Sequence, residues 1–458
     1  MTSLVYHNPD VTFTYYLIIP HADSSEYRVL LNKHNGSWTL PMYQPQEHHF
    51  AIVHHINQYL AATLGLFTAT LRCFHTRLES ATDERRFYAM DNLHPDWIPP
   101  QGWAWMNETD IQSLEFLHPF QQVILQQWFA WMHSDSSMRS PWMRHGWFSE
   151  AANWMYDLAD RMAMDGIQQV EQVQAWSRFC NLRLQTEHDI LYLKALPEMS
   201  HYEPVITRVL ALRFPGNIPD VRAVHVEKGW MLLRDVGATP LTENEDIAVW
   251  KSVLRRYAEM QVDLIGNTQS LIALGVPDRN IDYLSSQIER LMHDLPTTLS
   301  VEEQSKVKNL SSTLRSLCFE LTEFNIPLSL THGDFWAQNV MIRPNGEAVF
   351  SDWSDASVSH PFFDIPFFLS EIESDLPHVA DAHEQLRDAY LDVWTRYAPL
   401  ANLRRVYQIA EVLSGLHQAL FYYVHVLPAI ESNARWELQH MLPVLLRQVI
   451  SAVKLSHR

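Results

Sequence analysis

"THGDFWAQNVMIRPNGEAVFSDWSD", Thr331 to Asp355, sets a histidine, an asparagine and several acidic residues around two short apolar runs. Val340-Met341-Ile342 and Ala348-Val349-Phe350 are the runs, and Pro344-Asn345-Gly346 lies between them. An Asn-Gly pair flanked by apolar segments is the strongest short-range signal for a β-hairpin. With Asn345-Gly346 as a two-residue loop, Pro344 faces Glu347 and Arg343 faces Ala348. Counting outward, Asn339 faces Asp352. Directly opposed residues of an antiparallel pair hold their Cβ atoms about 4.5–5.5 Å apart. The spacing therefore predicts an amide oxygen and a carboxylate side by side at the open end of the hairpin, a suitable place for a hard cation that takes oxygen ligands. Asp334, five residues before Asn339, reaches the same point.

The whole chain bounds what such a site can serve. Its 458 residues suggest two to four domains, and 47% hydrophobic with 19% charged residues is a globular composition. The formal net charge of −19 argues against nucleic acid and anionic membrane surfaces as partners. Cys73, Cys180 and Cys318 lie far apart and form neither a metal-ligand spacing nor a disulfide framework, so buried thiols in a reducing, cytoplasmic setting are expected. The first residues show no basic region and no small-residue cleavage site, and no apolar run is long enough to span a membrane. The histidine pairs in "EHHF" and "VHHI" do not share a helix face at ligand spacing and are read as surface or half-buried.

A polar break, "HSDSSMRSP" at 133–141, ends an N-terminal block of mixed character. "TYYLIIPH", "YRVLLNK", "ATLRCFHTRL" and "RRFYAMDNL" are strand-like. "HHFAIVHHINQYLAATLGL" carries apolar residues at helical spacing and stops at Gly65. Strand, strand, "W-x-L-P" and a helix closing on "L-G-L" resemble the Nudix fold. That family binds Mg²⁺ through carboxylates on the helix. The corresponding positions here are Gln58, Tyr59, Ala62 and Thr63, so the resemblance implies a Nudix-like domain without hydrolase chemistry.

Beyond the break, "SPWMRHGWFSEAANWMYDLADRMAMDG" reads as an amphipathic helix and "VEQVQAWSRFCNLRLQTEHDILYLKALP" as three strands. "EPVITRVLALRFPGNIPDV" is a helix stopped at Pro215-Gly216, and "AVHVEKGWMLLRDVG" a hairpin turning at Lys228-Gly229. From 241 onward helices dominate. Lys194 sits on a strand and Glu203 opens the next helix, the order in which a kinase lobe holds nucleotide phosphates. With "HGDFWAQN", "FSDW" and "SHPFFDIPFFL" following, residues 141 to 370 resemble the aminoglycoside phosphotransferase and choline kinase-like family. The resemblance implies an α+β protein. A two-lobed protein-kinase-like fold, with a β-rich lobe at 146–240 and a mostly helical lobe at 241–458, would follow a linker at 133–145 and an α/β Nudix-like domain at 1–132.

It also implies roles. Asp334 accepts or orients the acceptor's hydroxyl proton, and His332 braces the catalytic loop. Asn339 and Asp352 hold Mg²⁺ on the phosphates of ATP or GTP. Lys194 contacts those phosphates and Glu203 positions it. The backbone at Leu232, Leu233 and Arg234 meets the adenine. The loop "AWSRFCNLRL" has no glycine, and Ser177 and Asn181 are expected to take over its phosphate contacts. Ser359-His360 stands where the family has Gly-Asp, and Asp364 falls at its second acidic position. Asp355, Glu371, Glu373 and Asp375 are candidate contacts to a small cationic acceptor, against the alternative of a solvated acidic face. The implied reaction is transfer of the γ-phosphoryl group to a hydroxyl of an amine-bearing small molecule. Two other readings stay open: an inactive nucleotide- or ligand-binding protein, and a kinase for a macromolecule selected by the Nudix-like domain.

Overall fold

Asn35 and Gly36 both adopt positive φ, 49° and 93°, as a two-residue hairpin loop of mirror-image type requires. They join β2 (Arg28–His34) to β3 (Ser37–Thr39), with His34 opposite Ser37. The computed structural model to which this hairpin belongs describes residues 11–21 and 26–456. The stretch 1–10, on which the expectation about targeting falls, lies outside the described residues. Two compact units form: one runs to Pro197 and takes in Ile430–Ala434, and the other holds Glu198–Ala429 and the chain from Arg435. The division falls inside the stretch 146–240 that the sequence reading treats as one lobe.

In the first unit β1 (Thr12–Ile18) lies antiparallel to β4 (Met42–Tyr43). Helix α1 (His54–Leu64) follows, then β5 (Thr68–Ser80) and β6 (Asp83–Asn92). β1 runs parallel to β6, and β6 antiparallel to β5, so the sheet order is β4-β1-β6-β5. A second sheet, β3-β2-β7, is completed by β7 (Trp103–Asn107). Gly65 ends α1 at φ 63° with its N–H on Ala61 O, the left-handed cap expected. Tyr59 stacks on Tyr43 at 4.4 Å and donates to Met42 O at 3.1 Å. Aromatic packing thus occupies this face of α1. Before the polar break come α2 (Glu108–Ser113) and α3 (Phe120–His133), with Pro119 directly ahead of α3. Then come α4 (Trp147–Arg161) and an antiparallel meander of β8 (Glu171–Ala175), β9 (Cys180–Gln185) and β10 (Ile190–Ala195).

The second unit opens with α5 (Tyr202–Arg213), the hairpin of β11 (Val221–His225) and β12 (Trp230–Arg234), and β13 (Thr239–Pro240). Helices α6 (Ile247–Leu264), α7 (Thr268–Ala273), α8 (Ile281–His293), α9 (Val301–Asn309) and α10 (Ser311–Glu323) precede β14 (Ser329–Thr331). β15 (Val340–Ile342) and β16 (Ala348–Phe350) form the expected hairpin, with β13 on its outer edge. β17 (Ser357–Ser359) returns antiparallel to β14. The unit ends with α11 (Ile365–Leu369), α12 (Ile372–Asp375), α13 (Ala382–Trp394), α14 (Leu400–Phe421) and α15 (Met441–Ser456). α6 packs on α13, and α14 on α15. The chain is therefore mixed α+β, with most strands in the first unit and most helices in the second. Among the described residues no helix is long and apolar enough to cross a membrane. Cys73, Cys180 and Cys318 are buried thiols outside any disulfide, as expected of small apolar side chains.

Candidate active site

The β14–β17 pair sets Thr331 opposite Ser357 and so closes the base of a loop that carries every residue of the opening motif. His332 and Gly333 leave β14 with their N–H groups on one carboxylate. Asp364 accepts from His332 N at 2.9 Å, Gly333 N at 2.9 Å and Tyr257 Oη at 2.5 Å. Asp364 is buried, and burial raises its pKa against the pull of these donors. His332 is buried too. Its Nε2 bonds the carbonyl of Ser351 at 2.8 Å, and its ring lies 4.6 Å from that of Trp353. Phe335 packs between Tyr257 (3.9 Å) and Phe368 (4.8 Å). With His332 and Phe335 both turned into the core, the loop is pinned on either side of Asp334.

Asp334 is held by Asn339. The amide Nδ2 of Asn339 donates to Asp334 O at 2.8 Å and to Asp334 Oδ2 at 3.1 Å. Asp334 Oδ1 has no hydrogen-bond partner although it is shut off from water. An orphaned carboxylate oxygen of this kind is what an incoming hydroxyl would satisfy. With Nδ2 committed to Asp334, the amide oxygen of Asn339 is the atom left for a ligand.

The hairpin is present, but its register differs by one residue from the expectation. Val340 pairs with Phe350, Met341 with Val349 and Ile342 with Ala348, so Asn339 faces Ser351, not Asp352. Asn339 O accepts from both Ser351 N (3.1 Å) and Ser351 Oγ (3.0 Å). The loop has three residues: Gly346 N donates to Arg343 O at 2.8 Å and Arg343 N to Glu347 O at 2.9 Å. Proline explains this. In a two-residue loop Pro344 would have to donate to Glu347, and it has no N–H. In the three-residue loop Pro344 occupies a position suited to its fixed φ, and Gly346 takes the left-handed one at φ 85°.

Asp352 lies beyond β16 and adopts φ 67°, unusual for a residue with a side chain. Ser354 Oγ donates to its Oδ1 at 2.7 Å. Trp353 N donates to Glu203 Oε1 at 3.0 Å, so the buried glutamate that opens α5 fixes the residue after Asp352. Tyr202 Oη and Ser200 Oγ both donate to Ser354 O, at 2.6 and 3.2 Å. The Asn339 amide oxygen and the Asp352 carboxylate, the pair expected to hold Mg²⁺, are oxygen ligands of the kind that ion takes.

The remaining predicted residues fall as follows. Leu232, Leu233 and Arg234 end β12, and Arg234 N donates to Asp220 O at 3.0 Å. Lys194 lies on β10 in the first unit, buried, with its ammonium 5.4 Å from the Phe179 ring. Ser177 is in the turn between β8 and β9 and is buried. Asn181 opens β9 and donates to Gln174 Oε1 at 2.9 Å. Of the four candidate acceptor contacts, Glu373 lines a cleft of about 390 Å³ formed by α11 to α15. Asp355 is buried; burial lowers the pKa of Arg279 to about 10, and the Asp355 charge opposes that fall. Glu371 and Asp375 are half-buried, and burial followed by the Glu371 charge raises the pKa of Asp375.

Residues 186–400 match the model of the phosphotransferase enzyme family. The matched stretch is a little under half of the chain. The match agrees with the enzyme class that the motifs led one to expect, a phosphotransferase acting on an alcohol group. No curated protein matches the chain. Among solved structures, choline kinase LicA from Streptococcus pneumoniae is 12% identical, covers 66% of this chain and 99% of its own, and gives a TM-score of 0.47. A choline/ethanolamine kinase family protein from Mesorhizobium loti is 18% identical over 67% of this chain and 99% of its own, at a TM-score of 0.43. Aminoglycoside 2'-phosphotransferase-IIIa, solved with GDP, is 15% identical over 66% and 97%, at 0.45. These likenesses are distant.

Two parts of the site had no signal in the sequence. Tyr257, in the middle of α6, holds Asp364 and stacks on Phe335. Gln418, on α14, donates to the carbonyl of Gly333. Both reach the loop from helices far away in the chain, and each looks locally like an ordinary helix residue.

Proposed function

We propose that the chain transfers the γ-phosphoryl group of ATP or GTP to a hydroxyl of a small, amine-bearing molecule, with Mg²⁺ as its metal. The observation that carries this reading is the state of Asp334: backbone clamped, one oxygen held by Asn339, the other without a partner. In this reading Asp334 Oδ1 accepts the hydrogen bond of the acceptor hydroxyl and takes its proton as the bond to phosphorus forms. Asn339 fixes the carboxylate's rotamer, and His332, Asp364 and Phe335 fix its place. Asn339 and Asp352 would hold the metal, which neutralises charge on the phosphates when bound. Lys194, Ser177 and the end of β12 are proposed nucleotide contacts on the strength of motif order, and Glu203 as a support of that set.

The acceptor class rests on the cleft beside α11. Glu373 and Glu411 are among its described lining residues, together with His383 and Tyr407, and none is lysine or arginine. Phe367, also in the lining, lies 5.7 Å ring to ring from Trp336, two residues past Asp334. Burial raises the pKa of Glu411, and a bound ammonium would reverse that shift. The N-terminal stretch 1–132 is proposed to be a Nudix-like domain without hydrolase chemistry. Its α1 ends at Gly65 as the resemblance implies, and Tyr59 packs where a carboxylate would stand. A cytoplasmic location, without nucleic acid or membrane partners, completes the proposal.

The test is ADP release from Mg²⁺-ATP across a panel of amino alcohols. Asp334→Asn should lose about 10²–10⁴-fold in turnover. Glu373→Gln should raise the acceptor KM and leave that of the nucleotide unchanged. Nucleotide binding without transfer to any hydroxyl would instead favour the binding-protein reading.

A further inference from the structure

Gly333 is the weak point of the catalytic loop. It adopts φ 80°, and a Cβ there would run into the carbonyl oxygen of Asp355. Only glycine fits, yet glycine leaves the peptide plane between residues 333 and 334 with few intrinsic restraints. That plane carries the N–H of Asp334, so its orientation aims the Asp334 side chain. Asp364 holds Gly333 from the N–H side. The carbonyl side is held by Gln418, whose Nε2 donates to Gly333 O.

Gln418 is itself framed. Its Oε1 accepts from Arg279 Nη2 at 3.4 Å. The same Nη2 donates to His417 O at 2.8 Å and to His417 Nδ1 at 3.0 Å. Once Nδ1 is an acceptor, the proton of the neutral ring lies on Nε2. His417 Nε2 is 3.2 Å from Ser359 Oγ, and Ser359 Oγ donates to Arg279 O at 2.7 Å. One tautomer therefore satisfies a closed ring: Arg279 to His417, His417 to Ser359, Ser359 back to Arg279. Ser359, His417, Gln418 and Arg279 are all buried. Arg279 also lies 4.5 Å from the Phe421 ring. Ser359 stands where the family pattern has glycine, so the ring is built on a departure from that pattern.

We propose that Gln418 is a positioning residue for Asp334, held in place by the Ser359–His417–Arg279 ring. It clamps the Gly333–Asp334 peptide from the carbonyl side while Asp364 clamps Gly333 from the N–H side. α14 also supplies Glu411, Ser414 and Gly415 to the cleft, so one rigid helix positions both the acceptor cleft and the base. The inference rests on Asp334 being the base of the proposed phosphotransferase.

Gln418→Met keeps the volume and removes the donor. Three readouts are needed: ATP hydrolysis with Mg²⁺ and no added acceptor, thermal stability, and amide hydrogen exchange in residues 331–340. Turnover should fall about 10–10²-fold with the KM for ATP unchanged, because the base is misplaced and the nucleotide contacts are not. Exchange in 331–340 should quicken relative to the rest of the chain. Arg279→Lys, which keeps the charge and loses the planar fork, should shift both in the same direction by less. Turnover and loop exchange within twofold of wild type in Gln418→Met would overturn the proposal. So would a loss of turnover matched by a loss of folded protein with no local change in exchange. If the wild type neither binds nor hydrolyses ATP, the phosphotransferase reading fails, and the loop's exchange alone decides whether Gln418 positions it.

Discussion

Glu431 should be worth more to the first unit than its place in the sequence suggests. It belongs to Ile430–Ala434, which packs with that unit although its chain neighbours pack with the other. Its carboxylate lies between two buried guanidinium groups, 3.7 Å from Arg72 Nη1 and 3.3 Å from Arg139 Nε, and accepts from Trp131 Nε1 at 3.1 Å. The side chains of Arg72, Arg139 and Glu431 are 0%, 6% and 8% exposed, so screening by water is slight. Glu431→Ala would leave two cations without their shared anion, and breaking a buried pair costs about 3–5 kcal/mol. The loss should sit near the lower end. Arg72 keeps Asn433 Oδ1 and O at 3.1 and 3.0 Å, and Arg139 keeps Trp131 O and Ser134 Oγ at 2.6 and 2.8 Å. For a unit of this size about 3 kcal/mol lowers Tm by roughly 6–12 °C. Calorimetry on the full chain reads this directly. Replacing all three charges by apolar residues of similar volume should recover most of the loss, because the desolvation cost disappears with the attraction. A Tm for Glu431→Ala within about 2 °C of wild type would refute the reasoning.

Gly333→Ala should abolish measurable turnover, since the added methyl meets a carbonyl oxygen at a left-handed φ; activity within tenfold of wild type would show that the loop relaxes at little cost. His360 gives a pH prediction. It is buried, and burial lowers its pKa to about 3. The unfolded chain takes up a proton near pH 6.5 that the folded chain refuses, so the stability present above that pH is lost as pH falls toward 3. Between pH 7 and 5 this amounts to about 2 kcal/mol. His360→Asn retains an acceptor for Phe362 N and should show a smaller difference in denaturation midpoint between these two pH values. An unchanged difference would mean that other groups carry the acid sensitivity.

The site was legible where its residues are close in the chain. His332, Asp334, Asn339 and Asp352 fall within one hairpin and its flanks, and the strand periodicity announces that hairpin. The register was not legible from the Asn-Gly pair alone. Asn35-Gly36 is a two-residue loop and Asn345-Gly346 part of a three-residue one, and the difference is the preceding residue: Pro344 cannot supply the N–H that His34 can. The supports were hidden for another reason. Asp364 lies in a quoted motif, but Tyr257, Arg279 and Gln418 reach the loop only through tertiary packing of α6, α8's leading turn and α14. A buried glutamine on a helix, or a buried arginine in the short segment before one, has no local mark that separates it from a solvated one.

The proposed function needs a Mg²⁺-dependent nucleotide site at Asp352. A ligand that binds only the folded state stabilises it by about 2.7 kcal/mol at one hundred times its Kd. Thermal stability should therefore be measured with and without ATP plus Mg²⁺, on wild type and Asp352→Ala. The expected result is a rise of several degrees in wild type that needs Mg²⁺ and vanishes in Asp352→Ala. No rise in wild type across a wide range of nucleotide concentrations would contradict it.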